Sequence, residues 1–245
     1  LVHLSIMKHV DSGEVSDVSE AVHQVLSNTI EPYVDPTIFS DPNEFRRDCY
    51  EDDMSRIMNN HEQSLRNIFT AIAADEGDRS ANGLLSLSEW LEFLDALGFI
   101  AKDVTHRDAI LCFIWSRMAV IDASTKKGKD RECMLPYEGF LEAVCRLAMI
   151  KALPFDHEIA VAGFNDAGAY INHIKLNDED AYDKMIEERS TKWGEEPPQP
   201  KSRQLEHTIT TMIRQIEEES AGADNLQITA KEAADWAARA MGDAK

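Results

Sequence analysis

Between residues 78 and 89, oxygen-bearing side chains recur with a stride that limits the fold more than any other feature of the chain. Counting twelve residues from Asp78, oxygens fall at the first, third, fifth and ninth places as Asp78, Ser80, Asn82 and Ser86, and Glu89 closes the window. Gly83 stands sixth, where a backbone that wraps oxygens around one point must turn sharply. Leu84, seventh, would contribute its carbonyl, so its apolar side chain costs nothing. Leu85, eighth, is placed to pair with a neighbouring loop. Calcium takes six to eight oxygens at about 2.3–2.6 Å, and this spacing can supply them. Average residue usage puts a chance match at the places of Asp78, Asn82, Gly83, Leu85 and Glu89 at roughly 10⁻³ for a chain this long. Ser86-x-x-Glu89 alone also reads as a helix-capping box, but that reading leaves Asp78, Asn82 and Gly83 unexplained. Only Asp78 and Glu89 bring charge. Because ligand charge tunes affinity, the expectation is one calcium with a dissociation constant of roughly 10⁻⁵–10⁻³ M.

The flanks have helical periodicity. Asp41, Pro42 and Glu44 form a helix start, and Phe45, Tyr50, Met54, Ile57, Met58, Leu65, Ile68, Phe69 and Ile72 keep helical spacing to Ala74. Over thirty residues is long for an incoming helix, so it either breaks near Asn59-Asn60 or is a strut. The outgoing helix carries Trp90, Leu91, Phe93, Leu94 and Leu97 and stops at Gly98. A second unit follows, with an incoming helix at Arg107–Ile121 and an outgoing helix from about Pro136. Aligning Glu138 with Glu89 puts Met134 opposite Leu85, with an extra cationic stretch, Lys126-Lys127-Gly128-Lys129-Asp130-Arg131, that predicts an elongated loop without calcium. Further helices are expected at Ser16–Ile30 and across 155–192.

Glu195-Glu196-Pro197-Pro198-Gln199-Pro200 reads as a stiff linker. Beyond it, Leu205, Ile209, Met212, Ile213 and Ile216 form an amphipathic helix, and Thr229-x-x-Glu232 repeats Ser86-x-x-Glu89, with Ile228 in the place of Leu85. This third unit is either a degenerate copy without metal or a helix hairpin with a capping box. It is short for an independent core, so it is expected to dock on the body or on a partner. The organisation predicted is N-terminal helices at 1–60, a paired unit at 61–150, a helical extension at 151–194, the linker at 195–204 and the C-terminal pair at 205–245. The fold class is all-α.

Forty-five acids against 25 bases give a net charge of −20. Such a field repels nucleic acid and anionic membranes and draws cations and basic partners. The longest apolar run, Ala109–Trp115, is seven residues, far short of the roughly 20 a membrane span requires. Cys49, Cys112, Cys133 and Cys145 are scattered without zinc-type spacing, and Cys112 and Cys145 read as buried thiols in a reducing, cytoplasmic setting. No Gly-rich phosphate loop, Gly-x-Ser-x-Gly elbow or zinc-protease signature is present, so an enzyme is not expected.

The chain resembles the EF-hand superfamily of calmodulin-like helix–loop–helix proteins, with the strongest likeness at residues 61–97. A degenerate partner lies at 106–150 and a doubtful unit at 205–241. The resemblance implies paired units and a metal site at Asp78, Ser80, Asn82, Leu84 through its carbonyl, Ser86 and Glu89, with Mg2+ as an occupant at rest. Leu135-Pro136-Tyr137-Glu138-Gly139-Phe140-Leu141-Glu142-Ala143-Val144-Cys145-Arg146-Leu147-Ala148 looks like the outgoing helix of EF-hand domains in ciliary and flagellar axonemal proteins. That implies protein partners in a cytoskeletal assembly, with calcium-independent scaffolding as the alternative.

Overall fold

The computed structural model of the chain describes residues 1–34, 42–73, 83–122, 124–220 and 226–242. Among these, every regular element is helical, and β-structure is limited to an isolated antiparallel bridge. The chain divides into two compact units between Glu44 and Phe45.

In the first unit, α1 (Val2–Ser5) widens into a π-helical turn at Ile6–Val10, and α2 (Val18–Val25) widens likewise at Leu26–Ile30. A 3-10 turn at Glu31–Tyr33, with Pro32 at its start, ends the run. Ala21 and Val25 are buried, whereas Leu1, Leu4 and Met7 are exposed. His9 Nδ1 pairs with Glu14 Oε2 at 2.5 Å.

The second unit opens inside α3 (Pro42–Asp48), continues with α4 (Asp52–Asn60) and α5 (Glu62–Ile72), and so divides the long periodic stretch into three helices. Asp41, the expected cap of α3, lies outside the described residues. His61 leaves helical geometry (φ −107°, ψ 10°) and turns its Nε2 onto Glu206 Oε1 at 3.1 Å. That break lets Met54 and Ile57 face the core from α4 while Leu65, Ile68, Phe69 and Ile72 face it from α5.

Next come α6 (Leu87–Ala96), α7 (His106–Trp115), α8 (Lys126–Cys133) and α9 (Tyr137–Ile150). Two sequence expectations are corrected here. The second incoming helix ends at Trp115 rather than Ile121, and the cationic insert is a helix rather than a loop. Thr125 caps α8 by accepting from Gly128 N at 3.0 Å. Gly128 itself lies so near the Asp122 carbonyl that a Cβ would meet that oxygen at 1.6 Å. This close approach seats the helix, and spacing alone does not reveal it.

Helices α10 (Asp156–Val161), α11 (Ala167–Asn177) and α12 (Glu179–Arg189) fill 156–189. The Pro-rich stretch then runs along the body, where Gln199 Nε2 donates to the Pro154 carbonyl at 3.3 Å. It leads into α13 (Lys201–Ser220), which packs on α4, α9 and α11, and on α14 (Ala230–Ala240). Leu205, Ile209, Met212, Ile213 and Ile216 of α13 and Trp236 of α14 belong to the same core as Phe69, Trp90, Phe93 and Phe140. The Phe93 and Trp236 rings meet edge to face at 5.8 Å. The C-terminal helices therefore dock on the body of their own unit. Gln204, fully buried, donates to the carbonyls of Ala148 and Lys151 at 3.0 and 3.1 Å. It thereby satisfies two of the acceptors that the end of α9 would otherwise leave unpaired. Cys49, Cys112 and Cys145 are buried and Cys133 is exposed. Burial pushes the Cys112 thiol well above its ordinary range.

Candidate calcium loop and its partner segments

Asp78, Ser80 and Asn82 lie outside the described residues, so the geometry begins at Gly83, between the end of α5 and the start of α6. Gly83 has φ +57°, the left-handed region where a side chain is strained. A sharp turn at the sixth place is what a loop wrapping one point requires. Leu84 and Leu85 follow, both buried. Leu85 N donates to the Leu135 carbonyl and Leu135 N to the Leu85 carbonyl, each at 2.8 Å. This reciprocal pair is the isolated bridge that joins the segment before α6 to the segment before α9.

Ser86 caps α6. Its Oγ accepts from Glu89 N at 3.3 Å, and its N–H donates to Glu89 Oε2 at 2.7 Å. Both halves of a capping box are thus present. The box does not compete with metal ligation in principle, because each carboxylate oxygen has two lone pairs. The described half of the window thus shows a positive-φ glycine at Gly83, the bridge at Leu85 and the box between Ser86 and Glu89. Among the described residues no group of three His, Cys, Asp or Glu side chains is arranged to hold a metal.

The bridge corrects the pairing expected from sequence, since Leu85 faces Leu135 rather than Met134. The shift of one residue changes what the second segment can offer. With Leu135 in the place of Leu85, Pro136 takes the place of Ser86 and Gly139 that of Glu89. Glu138 falls one residue out of register, in the first turn of α9. Met134 instead ends α8 as its C-terminal cap. Spacing from the carboxylate points to Met134, whereas the structure pairs the residue that is fully buried; Leu135 is, and Met134 is half-buried.

In the C-terminal segment, Thr229 and Glu232 form the same box as Ser86 and Glu89. Thr229 N donates to Glu232 Oε2 at 2.8 Å, and Glu232 N donates to Thr229 Oγ1 at 3.3 Å. The hydrogen bond from the Thr229 hydroxyl holds the Glu232 carboxyl below its ordinary range. Among the described residues, Ile228 has no backbone partner of the kind Leu85 has. Its N–H donates to Ser64 Oγ at 3.0 Å, and its carbonyl accepts from Asn67 Nδ2 at 2.7 Å. Two side chains of α5 thus stand in for a bridge strand, a role that their polar types gave no reason to suspect. A groove of about 630 Å3 between α5, α6 and α14 is lined by Ser86 and Glu89 with Asn67, Thr70, Glu92 and Ala234.

No family model, curated protein or solved structure matches the chain. No helix among the described residues is long and apolar enough to cross a membrane.

Proposed function

We propose that the chain is a calcium-binding protein of the EF-hand type that serves as a structural or regulatory protein–protein interaction module. The observation that carries this reading is the half-loop Gly83–Glu89. A glycine at φ +57° leads into a reciprocal backbone bridge and then into a carboxylate fixed at the third position of the outgoing helix. Asp78, Ser80, Asn82, the Leu84 carbonyl and Glu89 would hold one calcium, with Ser86 acting through water and Mg2+ as the resting occupant. Bound calcium would supply a compact positive charge that ties the loop to α6. Glu89 and Ser86 also line the groove between α5, α6 and α14, so ligation there would change the wall of a surface a partner can use. The one-residue offset at Gly139 supports a single site rather than a cooperative pair. The axonemal likeness of Leu135–Ala148 favours a ciliary or other cytoskeletal assembly.

The rival reading is a scaffold that needs no metal, favoured by the capping box, which closes α6 without an ion. Titration calorimetry with calcium separates the two. The wild-type chain should give heat for one site with a dissociation constant of roughly 10⁻⁵–10⁻³ M, and Glu89→Ala should abolish it while Glu138→Ala leaves it unchanged. Absence of heat from the wild type at millimolar calcium would falsify the calcium reading and leave the scaffold.

A further inference from the structure

Within the acidic second unit, several of the bases described are neutralised at home: Arg146 on Glu142, Lys151 on Asp103, Arg189 on Glu158 and Arg214 on Asp166. Helix α8 instead gathers four that are not. Lys126, Lys127, Lys129 and Arg131 are all exposed, and among the described residues none of the four enters an ion pair. Their placement also runs against helix electrostatics. The first turns of α5, α6, α9, α12 and α14 carry acids and those of α8, α11 and α13 carry none; that of α8 begins with Lys126-Lys127. Cations at the positive end of the helix dipole are unfavourable, so local stability does not explain them.

An apolar rim adjoins this cationic helix. Ile114 and Trp115, at the end of α7, are 39% and 43% exposed, and Ile121 is fully exposed. Arg117 ties the two features together, donating through Nε to the Ile114 carbonyl at 3.3 Å and through a terminal nitrogen to the Glu132 carbonyl at 3.4 Å. Arg46 braces the rim from α3 by donating to the Trp115 and Arg117 carbonyls. Gly128, packed on the Asp122 carbonyl, fixes the helix from beneath.

We propose that this face, the solvent side of α8 with the Trp115 rim, binds an acidic protein segment that also carries apolar side chains. The bases take the segment's carboxylates, and Trp115 and Ile114 take its apolar residues. The net charge of −20 opposes any acidic partner at long range, so binding rests on the local contacts of α8 and its rim. Nucleic acid and anionic bilayers are disfavoured because Asp122, Asp130 and Glu132 interrupt the cationic surface that a uniform polyanion would need. The inference rests on reading the chain as an interaction module and names its partner's chemistry; it does not depend on calcium at Asp78–Glu89.

The test uses the full chain and a fluorescently labelled synthetic peptide of glutamates interspersed with leucines, read by anisotropy. Wild type should bind, and added salt should weaken binding as charges are screened. The K126E/K127E/K129E/R131E variant should weaken it by at least about tenfold, and the corresponding glutamine variant and W115A should weaken it less. K126E/K127E should also raise the melting temperature, because the first-turn charge is then favourable. A merely structural role for these lysines would lower stability and binding together. The proposal is overturned if wild type fails to bind the peptide, or if the charge-reversal variant binds it equally. Tighter, α8-dependent binding of duplex DNA or phosphatidylserine vesicles would overturn it too. Calcium heat without peptide binding sinks this inference alone. Peptide binding that is equal in calcium and in chelator, with no calcium heat, supports it and sinks the calcium reading.

Discussion

Asp103 and Lys151 form an ion pair at 2.9 Å with the carboxylate side chain fully buried and the lysine nearly so. The Ala152 amide donates to the same carboxylate oxygen at 3.1 Å, and the ammonium lies 4.8 Å from the centre of the Phe99 ring. Replacing Lys151 by Met would leave a buried carboxylate with its counter-charge gone, a loss of about 3–5 kcal/mol. Urea denaturation should register it, and the double variant Asp103→Asn with Lys151→Met should recover part of the loss. If the single variant is as stable as wild type, the pair does not hold α9 to the segment before α7. At Gly128 the expectation concerns space rather than charge. A methyl 1.6 Å from the Asp122 carbonyl oxygen cannot be absorbed by a side-chain rotation. Gly128→Ala should therefore cost about 1–3 kcal/mol as an overpacked site and should unseat α8 from Asp122.

The segment that enters α14 is held by hydrogen bonds that can be tested one at a time. Ser64→Ala removes the acceptor of the buried Ile228 N–H and should cost about 1–3 kcal/mol. Thr229→Ala removes a helix cap and should cost about 1 kcal/mol. Equal stability of Ser64→Ala and wild type would show that the side-chain stand-in for a bridge contributes nothing. The junction of α10, α12 and α13 makes stability depend on pH. His207 on α13 is 2% exposed, and burial pushes its imidazole below the ordinary value of 6.5; Arg203 adds to the shift and Asp156 opposes it. As pH falls, the unfolded chain takes up this proton before the fold does. The contribution of His207 is therefore complete above about pH 6.5 and declines below it toward the folded value. Glu206, hydrogen-bonded by His61, and Glu158, hydrogen-bonded by Arg189, both lie below their ordinary 4.5. Their contribution is present above about pH 4.5 and is lost as pH falls through their lower folded values. The urea midpoint should accordingly drop in two steps on acidification, and His207→Gln should remove the upper one. A flat wild-type midpoint between about pH 7 and 5 would contradict this account.

At the scale of the molecule, α13 decides what can be removed. It lies between α4, α9, α11 and α14, and its Ile209, Met212, Ile213 and Ile216 are fully buried. Deletion of residues 199–245 would expose the faces of α4, α9 and α11 to water, at roughly 25 cal/mol for each Å2 of apolar surface. The truncated chain should fail to unfold cooperatively and should expose hydrophobic surface to a dye such as ANS. Cooperative melting of the truncated chain at the wild-type temperature would mean that 205–240 is an appendage. The surface, by contrast, tolerates change: the net charge of −20 is spread over solvated helix faces, and single substitutions there should move stability by no more than about 0.5 kcal/mol.

Helical periodicity, the caps at Ser86 and Thr229 and the glycine before Leu84 are short-range features. The sequence determines them because each involves residues within about one or two turns of one another. It determined the all-helical class, the start of α6 at Ser86 and the matching box at Glu232 for that reason. The pairing of Leu85 with Leu135, the break at His61 against Glu206 and the capture of Ile228 by Ser64 and Asn67 depend on residues from 50 to 164 positions apart. Only the tertiary structure decided these. A local pattern cannot tell which of two neighbouring residues, Met134 or Leu135, will be buried, and a one-residue change of register turns each side chain to a different surface. The same holds for α13, whose amphipathic stripe predicted a helix but not its other buried faces. Those faces hold Gln204, His207, Thr208 and Thr211, polar residues that a core admits because hydrogen bonds within α13 and to neighbouring segments satisfy them.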